Sequence, residues 1–200
     1  LVQNDDPSFK TPHKFVGNRY NKTESDELRK EYGWTFKEQD TNEFRRVVPS
    51  PMPEYLMHGK SIKALVYRGT IVIATGGGGI PVYNDSDGNI TGLDAVIDKD
   101  YSAAKMGRII RAQELWIITD IDCVYVGFGS VKQKRITTIK ASEIERLYQK
   151  GEFQKGTIEP KIRAALHFLK YHGEKVVITS IPFIKDAFRN NAGTIIRNDK

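Results

Sequence analysis

The chain has 200 residues, of which 39% are hydrophobic and 28% charged, and its formal net charge is +6. This length and composition fit one globular domain, or one domain with a small appendage. No apolar run approaches the roughly 18 to 20 residues of a membrane span, and the N-terminus lacks a signal segment. We therefore expect a soluble, intracellular protein that has no membrane partner.

The positive charge can attract either nucleic acid or a small anionic substrate such as a nucleotide. The basic residues are scattered and are not interleaved with aromatic residues, so we expect no nucleic-acid partner. The single cysteine, Cys123, cannot form an internal disulfide, and packing is its expected role. The chain starts at Leu1 without a methionine, and we expect it to be part of a longer protein.

The first region, residues 7–53, is polar and rich in turns. One helix is predicted there, with Thr23 as its N-cap and a stop at Gly33. The run "RRVVPSPMP" (45–53) predicts a short strand that is followed by a stiff, proline-rich exit. We interpret residues 7–53 as a small lid or protrusion and not as a self-sufficient domain.

From about Tyr55 onward, apolar β-branched runs alternate with amphipathic patterns. The predicted strands are 70–74, 115–119, 175–179 and 193–197, and the predicted helices are 61–68, 100–112, 142–150 and 159–171. Ser142 and Glu145 have the spacing of a capping box. Strands that alternate with helices predict an α/β sandwich around a mostly parallel sheet, in which ligands bind at the carboxyl ends of the strands.

Four consecutive glycines, Gly76, Gly77, Gly78 and Gly79, follow the predicted strand 70–74. Backbone without Cβ atoms can turn its N–H groups toward a phosphate or carboxylate, which is the interpretation we favour. The alternative is a tight connection that only needs freedom to turn. A Walker loop is excluded because no Lys-Ser or Lys-Thr follows, and a dinucleotide motif because Ile-Pro-Val follows in place of a helix.

Three charged residues, Asp98, Lys99 and Asp100, interrupt the apolar run "AVI" directly before a predicted helix. An ordinary N-cap would explain either aspartate alone, but not all three charges. Lys161 lies in the opening turn of another predicted helix. A lone lysine there is usually solvated, but together with the other charges it becomes a candidate phosphate clamp.

The segment "TDIDCVYVGFG" places Thr119, Asp120 and Asp122 at the carboxyl end of a predicted strand, and Tyr125 adds aromatic surface. The carboxylates are either turn formers or ligands of a ribose or of a metal-bound phosphate. The segment 85–89, "DSDGN", has some features of a calcium loop but lacks the glutamate that completes one. We therefore interpret it as the tip of a hairpin.

The order and spacing of several segments resemble those of carbamate kinases, a branch of the amino acid kinase family. These segments are "FKTPHKFVG", "RRVVPSP", "IATGGGGIPV", "AVIDKDYSAA", "TDIDCVYVGFG", "GTIEPKIRAA" and "VVITS". The resemblance implies an open three-layer α/β/α sandwich with a mostly parallel sheet and a small protruding lid subdomain. It also implies phosphoryl transfer between ATP and carbamate in arginine catabolism, Mg²⁺ held mainly through the nucleotide phosphates, and a cytoplasmic homodimer.

The resemblance also implies roles for individual residues. Lys99 and Lys161 would neutralise the transferring phosphoryl group, Asp100 would hold both lysines, and Lys14 would come from the lid. Gly76 to Gly79 would line the region of carbamate and the terminal phosphate. The nucleotide would be bounded by Thr119, Asp120, Asp122, Tyr125, Phe153, Gly156, Thr157 and Ile158.

The resemblance divides the chain at residue 54. Residues 1–54 would be the end of an N-terminal lobe with the lid, and residues 55–200 the nucleotide-binding lobe. Two substrate loops of the family, Gly-Gly-Asn and His-Gly-Asn-Gly-Pro, lie upstream of the segments matched here, and the lid sequence departs from the family pattern. The alternative function is therefore a non-catalytic nucleotide-binding or regulatory protein with the same fold.

Overall fold

A computed structural model describes residues 1–154 and 156–199. The chain forms two compact units, which we call unit 1 (Leu1–Tyr55 and Gly77–Asp98) and unit 2 (Leu56–Gly76 and Lys99 onward). The predicted division after residue 54 falls close to one of these boundaries, but unit 1 also takes in 77–98. None of the helices in the described part of the chain is long and apolar enough to cross a membrane.

Unit 1 consists of a small antiparallel sheet, one helix and a hairpin. Its elements are β1 (Lys14–Tyr20), α1 (Lys22–Tyr32), β2 (Phe36–Asp40), β3 (Glu43–Val48), β4 (Val82–Asn84) and β5 (Ile90–Gly92). The sheet has the strand order β1-β3-β2, and β4 pairs with β5. Phe36, Val47 and Val48 are buried. The predicted strand near residue 45 therefore exists, but it is the central strand of a sheet whose other two strands were not predicted.

The helix α1 begins earlier than the sequence pattern suggested, because Asn21 and not Thr23 is its N-cap. The side chain of Asn21 accepts a hydrogen bond from the backbone N–H of Glu24, and the Glu24 carboxylate accepts one from the backbone N–H of Asn21. This reciprocal capping box satisfies two of the otherwise unpaired donors at the helix start. The predicted stop at Gly33 is confirmed, since this residue has a left-handed conformation with φ of 68°.

Replacing Asn21 by alanine is expected to lower the free energy of unfolding by about 1 kcal/mol, because the cap at Glu24 is lost. Chemical denaturation of the variant measures this loss. The control is Asn18→Ala, which removes an exposed side chain of the same type from β1. An equal loss in both variants would contradict the capping role of Asn21.

The segment 85–89 connects β4 to β5, so the predicted hairpin tip is confirmed. One carboxylate oxygen of Asp85 accepts hydrogen bonds from the backbone N–H groups of Asp87 and Asn89. The other carboxylate oxygen accepts a hydrogen bond from the hydroxyl of Thr91. These hydrogen bonds, led by that of Asn89, lower the pKa of Asp85. Asp85 therefore closes the turn with its own carboxylate.

Unit 2 contains a four-stranded sheet, five helices and a second hairpin in the described residues. Its elements are α2 (Gly59–Tyr67), α3 (Lys99–Ile110), β6 (Glu114–Thr119), β7 (Val124–Val126), β8 (Lys134–Ile136), β9 (Thr138–Lys140), α4 (Ala141–Gln149), α5 (Ile158–Leu169), β10 (Lys175–Ser180), α6 (Ile184–Phe188) and β11 (Thr194–Arg197). The sheet order is β6-β10-β11-β9, with parallel pairs at both ends and an antiparallel pair in the centre. The sheet is thus mixed but mostly parallel.

The core of unit 2 lies where α3 and α5 pack on each other and on the sheet. The predicted helix 159–171 forms as α5, and its residues Ile162, Ala165 and Leu169, which share one face, are buried in this core. The ring of Phe168 is also buried, and it fills the space beside Gly107 of α3, where an added Cβ would lie 2.7 Å from the ring. The two helices can approach each other because residue 107 has no side chain.

The predicted strand at 70–74 does not form. Residues 70–74 pair with no strand in the described chain, and the side chains of Ile71 and Ile73 are 94% and 100% exposed. An apolar β-branched run needs a neighbouring strand to satisfy its backbone groups, and the sequence pattern does not reveal whether one is there. The argument that placed the glycine run at the end of a sheet strand is therefore wrong.

The predicted capping box of Ser142 and Glu145 is also wrong. Helix α4 begins after Lys140, which has no side-chain capping bond. The backbone N–H and the hydroxyl of Ser142 instead donate hydrogen bonds to the carboxylate of Asp199, at 2.9 Å and 2.7 Å. A carboxylate from the distant C-terminal segment thus satisfies the donors that a local cap would have satisfied.

Candidate functional site

A buried ion pair joins the first turns of α3 and α5 in unit 2. Lys161 Nζ lies 2.9 Å from Asp100 Oδ2, and the two side chains are only 14% and 10% exposed. A carboxylate in the first turn of α3 is also favoured by the partial positive charge at a helix N-terminus. With so little solvent to screen it, the pair holds the ammonium group of Lys161 in one place.

Lys99 is the first residue of α3 and is exposed. It lies next to Asp100 in the chain. The Asp100 carboxylate was expected to hold Lys99 and Lys161, and in the structure it binds Lys161. The structure therefore contains a fixed lysine and an exposed lysine close to the start of the same helix. Two cations of this kind can neutralise an anion that neither would bind strongly alone.

A second ion pair involves Lys14 of β1 in unit 1. Lys14 Nζ donates a hydrogen bond to Asp98 Oδ2 over 2.5 Å, and the side chains are 35% and 8% exposed. The sequence pattern singled out Asp98 only as a charge beside Lys99, without any indication of a partner in the lid. Asp98 is thus an additional candidate residue, and its contact with Lys14 is what sequence reasoning missed.

The glycine run divides at the boundary of the units, since Gly76 belongs to unit 2 and Gly77, Gly78 and Gly79 to unit 1. Gly76, Gly78 and Gly79 have positive φ angles of 49°, 135° and 92°. A side chain at Gly78 would overlap the carbonyl oxygen of Ile97, whereas a Cβ at any of the other three would meet nothing within 4 Å. Contact with the backbone of Ile97 therefore explains why residue 78 is a glycine, whereas the space beside the other three glycines is open.

A cavity of about 630 Å³ lies at the carboxyl ends of β6 and β10, the place where ligands bind in sheets of this kind. It brings together the four residues predicted there from the "TDIDCVYVGFG" segment. Its lining is Thr119, Asp120, Ile121, Asp122, Tyr125, Phe128, Gln133, Ser180, Ile181, Pro182 and Phe183. The volume is within the range of small-molecule sites, about 300 to 1,000 Å³.

The β7–β8 hairpin carries one wall of this cavity and is fastened to the sheet by Thr194 of β11. The buried hydroxyl of Thr194 accepts a hydrogen bond from the backbone N–H of Val124 and donates one to the carbonyl oxygen of Ile136. Both strands of the hairpin are therefore bound by one side chain. No local sequence pattern indicates this role, because Thr194 lies 70 residues from Val124.

A small polar network orients Asp122 and Tyr125 in the cavity wall. The hydroxyl of Tyr125 donates to Asp122 over 3.1 Å, and the guanidinium of Arg135 lies 3.2 Å from the other carboxylate oxygen. Nε of Arg135 also donates to the sulfur of Cys123, which is buried. Arg135 pairs with Tyr125 across the hairpin, so only the strand register brings it to the site.

The pKa of Tyr125 is raised to about 12 by hydrogen bonding to Cys123, by partial burial and by the carboxylate of Asp122. The neutral phenol is therefore favoured in the folded state, and its contribution to stability is present below pH 10. We expect this contribution to be lost as the pH rises from about 10 to about 12. The ultraviolet absorbance of tyrosinate follows the ionisation of the tyrosines as the pH rises. In this titration, Tyr125→Phe should remove one phenol with a pKa of about 12. Loss of a phenol with the usual pKa of about 10 would contradict the assignment.

The remaining predicted nucleotide residues lie at the start of α5 and not in the lining of this cavity. Phe153 is buried, and Gly156 has a positive φ of 79°. The hydroxyl of Thr157 lies 3.5 Å from the carbonyl oxygen of Gln154, and Ile158 is the first helical residue. Lys155, which belongs to the same predicted loop, lies outside the described residues. In the structure, Phe153 of this segment therefore packs in the core, and Gly156 and Thr157 form a turn before α5.

Comparisons with known proteins match the chain to a family model and to several relatives. The model of the amino acid kinase family matches residues 16–180. Carbamate kinase from Thermoplasma acidophilum is 41% identical over 196 residues, which are 98% of this chain and 63% of that protein. Carbamate kinase 3 from Staphylococcus aureus is 40% identical over 198 residues, which are 98% of this chain and 64% of that protein. The chain thus spans less than two thirds of the length of these relatives.

Among solved structures, carbamate kinase from Giardia lamblia bound to AMP-PNP has a TM-score of 0.87 to this chain. Its sequence is 34% identical, and the match covers 99% of this chain and 63% of that one. This likeness confirms the predicted α/β/α fold with its mostly parallel sheet. Since the family model also covers most of the sequence, the chain belongs to the amino acid kinase family.

Proposed function

We propose that the protein to which this chain belongs transfers a phosphoryl group between ATP and carbamate, forming ATP from ADP and carbamoyl phosphate in arginine catabolism. The observation that carries the proposal is the buried pair of Lys161 and Asp100, which fixes a cation at the start of two packed helices. Phosphoryl transfer depends mainly on positioning and on neutralising the charge of the transferring group. The similarity to carbamate kinases supports this substrate class.

The proposed nucleotide site is the cavity at the ends of β6 and β10. Its aromatic and apolar walls, Tyr125 and Phe128 among them, suit a flat base, and its carboxylates suit ribose hydroxyls. Gly156, Thr157 and Ile158 would contribute backbone close to the nucleotide, and Phe153 would support them from the core. Mg²⁺ would be held mainly by the phosphates of the nucleotide, where it would offset their negative charge.

The proposed roles at the reacting group belong to lysines and backbone. Lys161, held by Asp100, and the exposed Lys99 would stabilise the charge of the transferring phosphoryl group. At Gly76, Gly77 and Gly79 no atom lies within 4 Å of the place that a Cβ would take, so an anion can come close to their N–H groups. Lys14 would bind carbamate or carbamoyl phosphate. As the resemblance to the family implies, we propose a cytoplasmic homodimer.

ATP formation from ADP and carbamoyl phosphate tests the proposal directly. The intact mass of the purified protein is first compared with 22.7 kDa, the mass of these 200 residues. The same protein is then mixed with both substrates and Mg²⁺, and ATP formation is followed with a coupled assay. Turnover that depends on both substrates would support the proposed reaction. Binding of ADP in a calorimeter without any ATP formation would contradict it and would favour a non-catalytic nucleotide-binding protein.

A further inference from the structure

Asp98 has no part in the mechanism proposed above, although it directly precedes Lys99 in the chain. Its side chain is 8% exposed and lies 2.5 Å from the ammonium group of Lys14, which is 35% exposed. A carboxylate so poorly solvated needs close polar partners, and Lys14 is one of them. The contact therefore differs from the surface ion pairs of solvent-exposed side chains, which contribute little.

The backbone on both sides of this ion pair is attached to the end of β3. Lys14 lies opposite Val48 in the register of β1 and β3. The backbone N–H of Val96, two residues before Asp98, donates a hydrogen bond to the carbonyl oxygen of Pro49 over 3.0 Å. Val48 and Pro49, which are adjacent at the end of β3, thus hold the segments that carry Lys14 and Asp98.

The glycine run supports the same carboxylate from another side. Gly78 is buried, and its α-carbon lies so close to the carbonyl oxygen of Ile97 that no side chain fits between them. Ile97 itself is buried and immediately precedes Asp98. The backbone beside Asp98 is therefore fixed by contacts that do not involve Lys14, which is the condition for a side chain to orient another.

We propose that Asp98 is a positioning residue that holds Lys14 in the orientation used for the substrate anion. This inference rests on the proposed function, in which Lys14 binds carbamate or carbamoyl phosphate. A free lysine side chain samples many rotamers and loses that freedom when it binds an anion. A lysine held by a buried carboxylate has already lost much of this freedom, so less is lost when the substrate binds.

A second ion pair in unit 1 offers a matched control. Arg46 of β3 pairs with Asp94, which precedes Asp98 by four residues, but the Asp94 side chain is 77% exposed. The substitutions Asp98→Asn and Asp94→Asn each remove one carboxylate charge from the same segment. Only the first removes the partner of Lys14, so effects that come from the charge of the segment alone are shared by both variants.

Competitive labelling of lysines with trace acetic anhydride tests the proposal without any need for activity. An ammonium group held by a carboxylate must leave its partner before its nitrogen can react, so Lys14 should react more slowly than the exposed Lys37. Peptide mass spectrometry should show that Asp98→Asn raises the labelling rate of Lys14 about threefold or more. Asp94→Asn should leave that rate unchanged, and Asp98→Glu, which keeps the charge, should restore part of the protection.

An unchanged rate for Lys14 in a folded Asp98→Asn variant would overturn the proposal. If that variant does not fold, the labelling of the unmodified protein decides. Equal labelling rates for Lys14 and Lys37 would overturn the proposal, and a slower rate for Lys14 would support it.

In the kinetic test, Asp98→Asn should raise the KM for carbamoyl phosphate about tenfold and leave the KM for ADP within about twofold. Absence of ATP formation by the unmodified protein contradicts the proposed function, while labelling still decides the role of Asp98.

Discussion

Replacing Lys161 by methionine is expected to lower the rate of ATP formation about 10³-fold, because the substitution removes a cation that is held in place for the transferring phosphoryl group. Methionine keeps the length and much of the apolar stem of lysine, so the packing of α5 should change little. The rate is measured at saturating ADP and carbamoyl phosphate, so that weaker binding of either substrate does not mimic the loss.

The matched control for this substitution is Lys170→Met, which removes an exposed charge from the end of the same helix. We expect its turnover to stay within about twofold of the original rate. Lys161→Met also removes a positive partner of the buried Asp100 carboxylate, and about 3 kcal/mol of unfolding free energy should be lost with it. Chemical denaturation shows whether enough folded protein remains, and undiminished turnover by folded Lys161→Met would contradict the assigned role.

Replacing Gly78 by alanine is expected to lower the free energy of unfolding of unit 1 by about 3 kcal/mol or more. The new methyl group would overlap the carbonyl oxygen of Ile97, and the φ angle of 135° is one that alanine rarely adopts. Backbone on both sides would have to move, since no flexible side chain lies between them. Chemical denaturation with a probe in unit 1, such as the fluorescence of Trp34, measures the effect.

Gly77→Ala is the control for this prediction. Gly77 is exposed, does not have a positive φ angle, and has no atom within 4 Å of the position of a Cβ. We expect its unfolding free energy to stay within about 0.5 kcal/mol of the original, and any loss of activity would then report a role of this backbone in binding. Equal destabilisation by both substitutions would show that the contact with Ile97 does not explain the glycine at residue 78.

The central elements of unit 2 could be predicted because their side chains are buried in a regular pattern. The run that became β10 is almost entirely buried, and α5 carries its apolar residues on one stripe. The strands β1 and β2 were missed because most of their side chains are exposed or half-buried and polar, so their sequence has no continuous apolar run. The run 70–74 was predicted wrongly for the opposite reason, since it has the apolar pattern of a strand but no partner strand in the described chain.

The sequence by itself determined the family, through segments such as "GGGGIPV" and "AVIDKD" that keep their order and spacing, and with it the α/β fold and the candidate lysines. The resemblance also implied that Asp100 holds Lys161, whereas only the tertiary structure showed which carboxylate binds Lys14. Asp98 binds Lys14 across 84 residues of chain, and Asp100 binds Lys161 across 61. Local sequence reports the periodicity and caps of single elements, whereas contacts between distant residues depend on how those elements pack, which no local pattern contains.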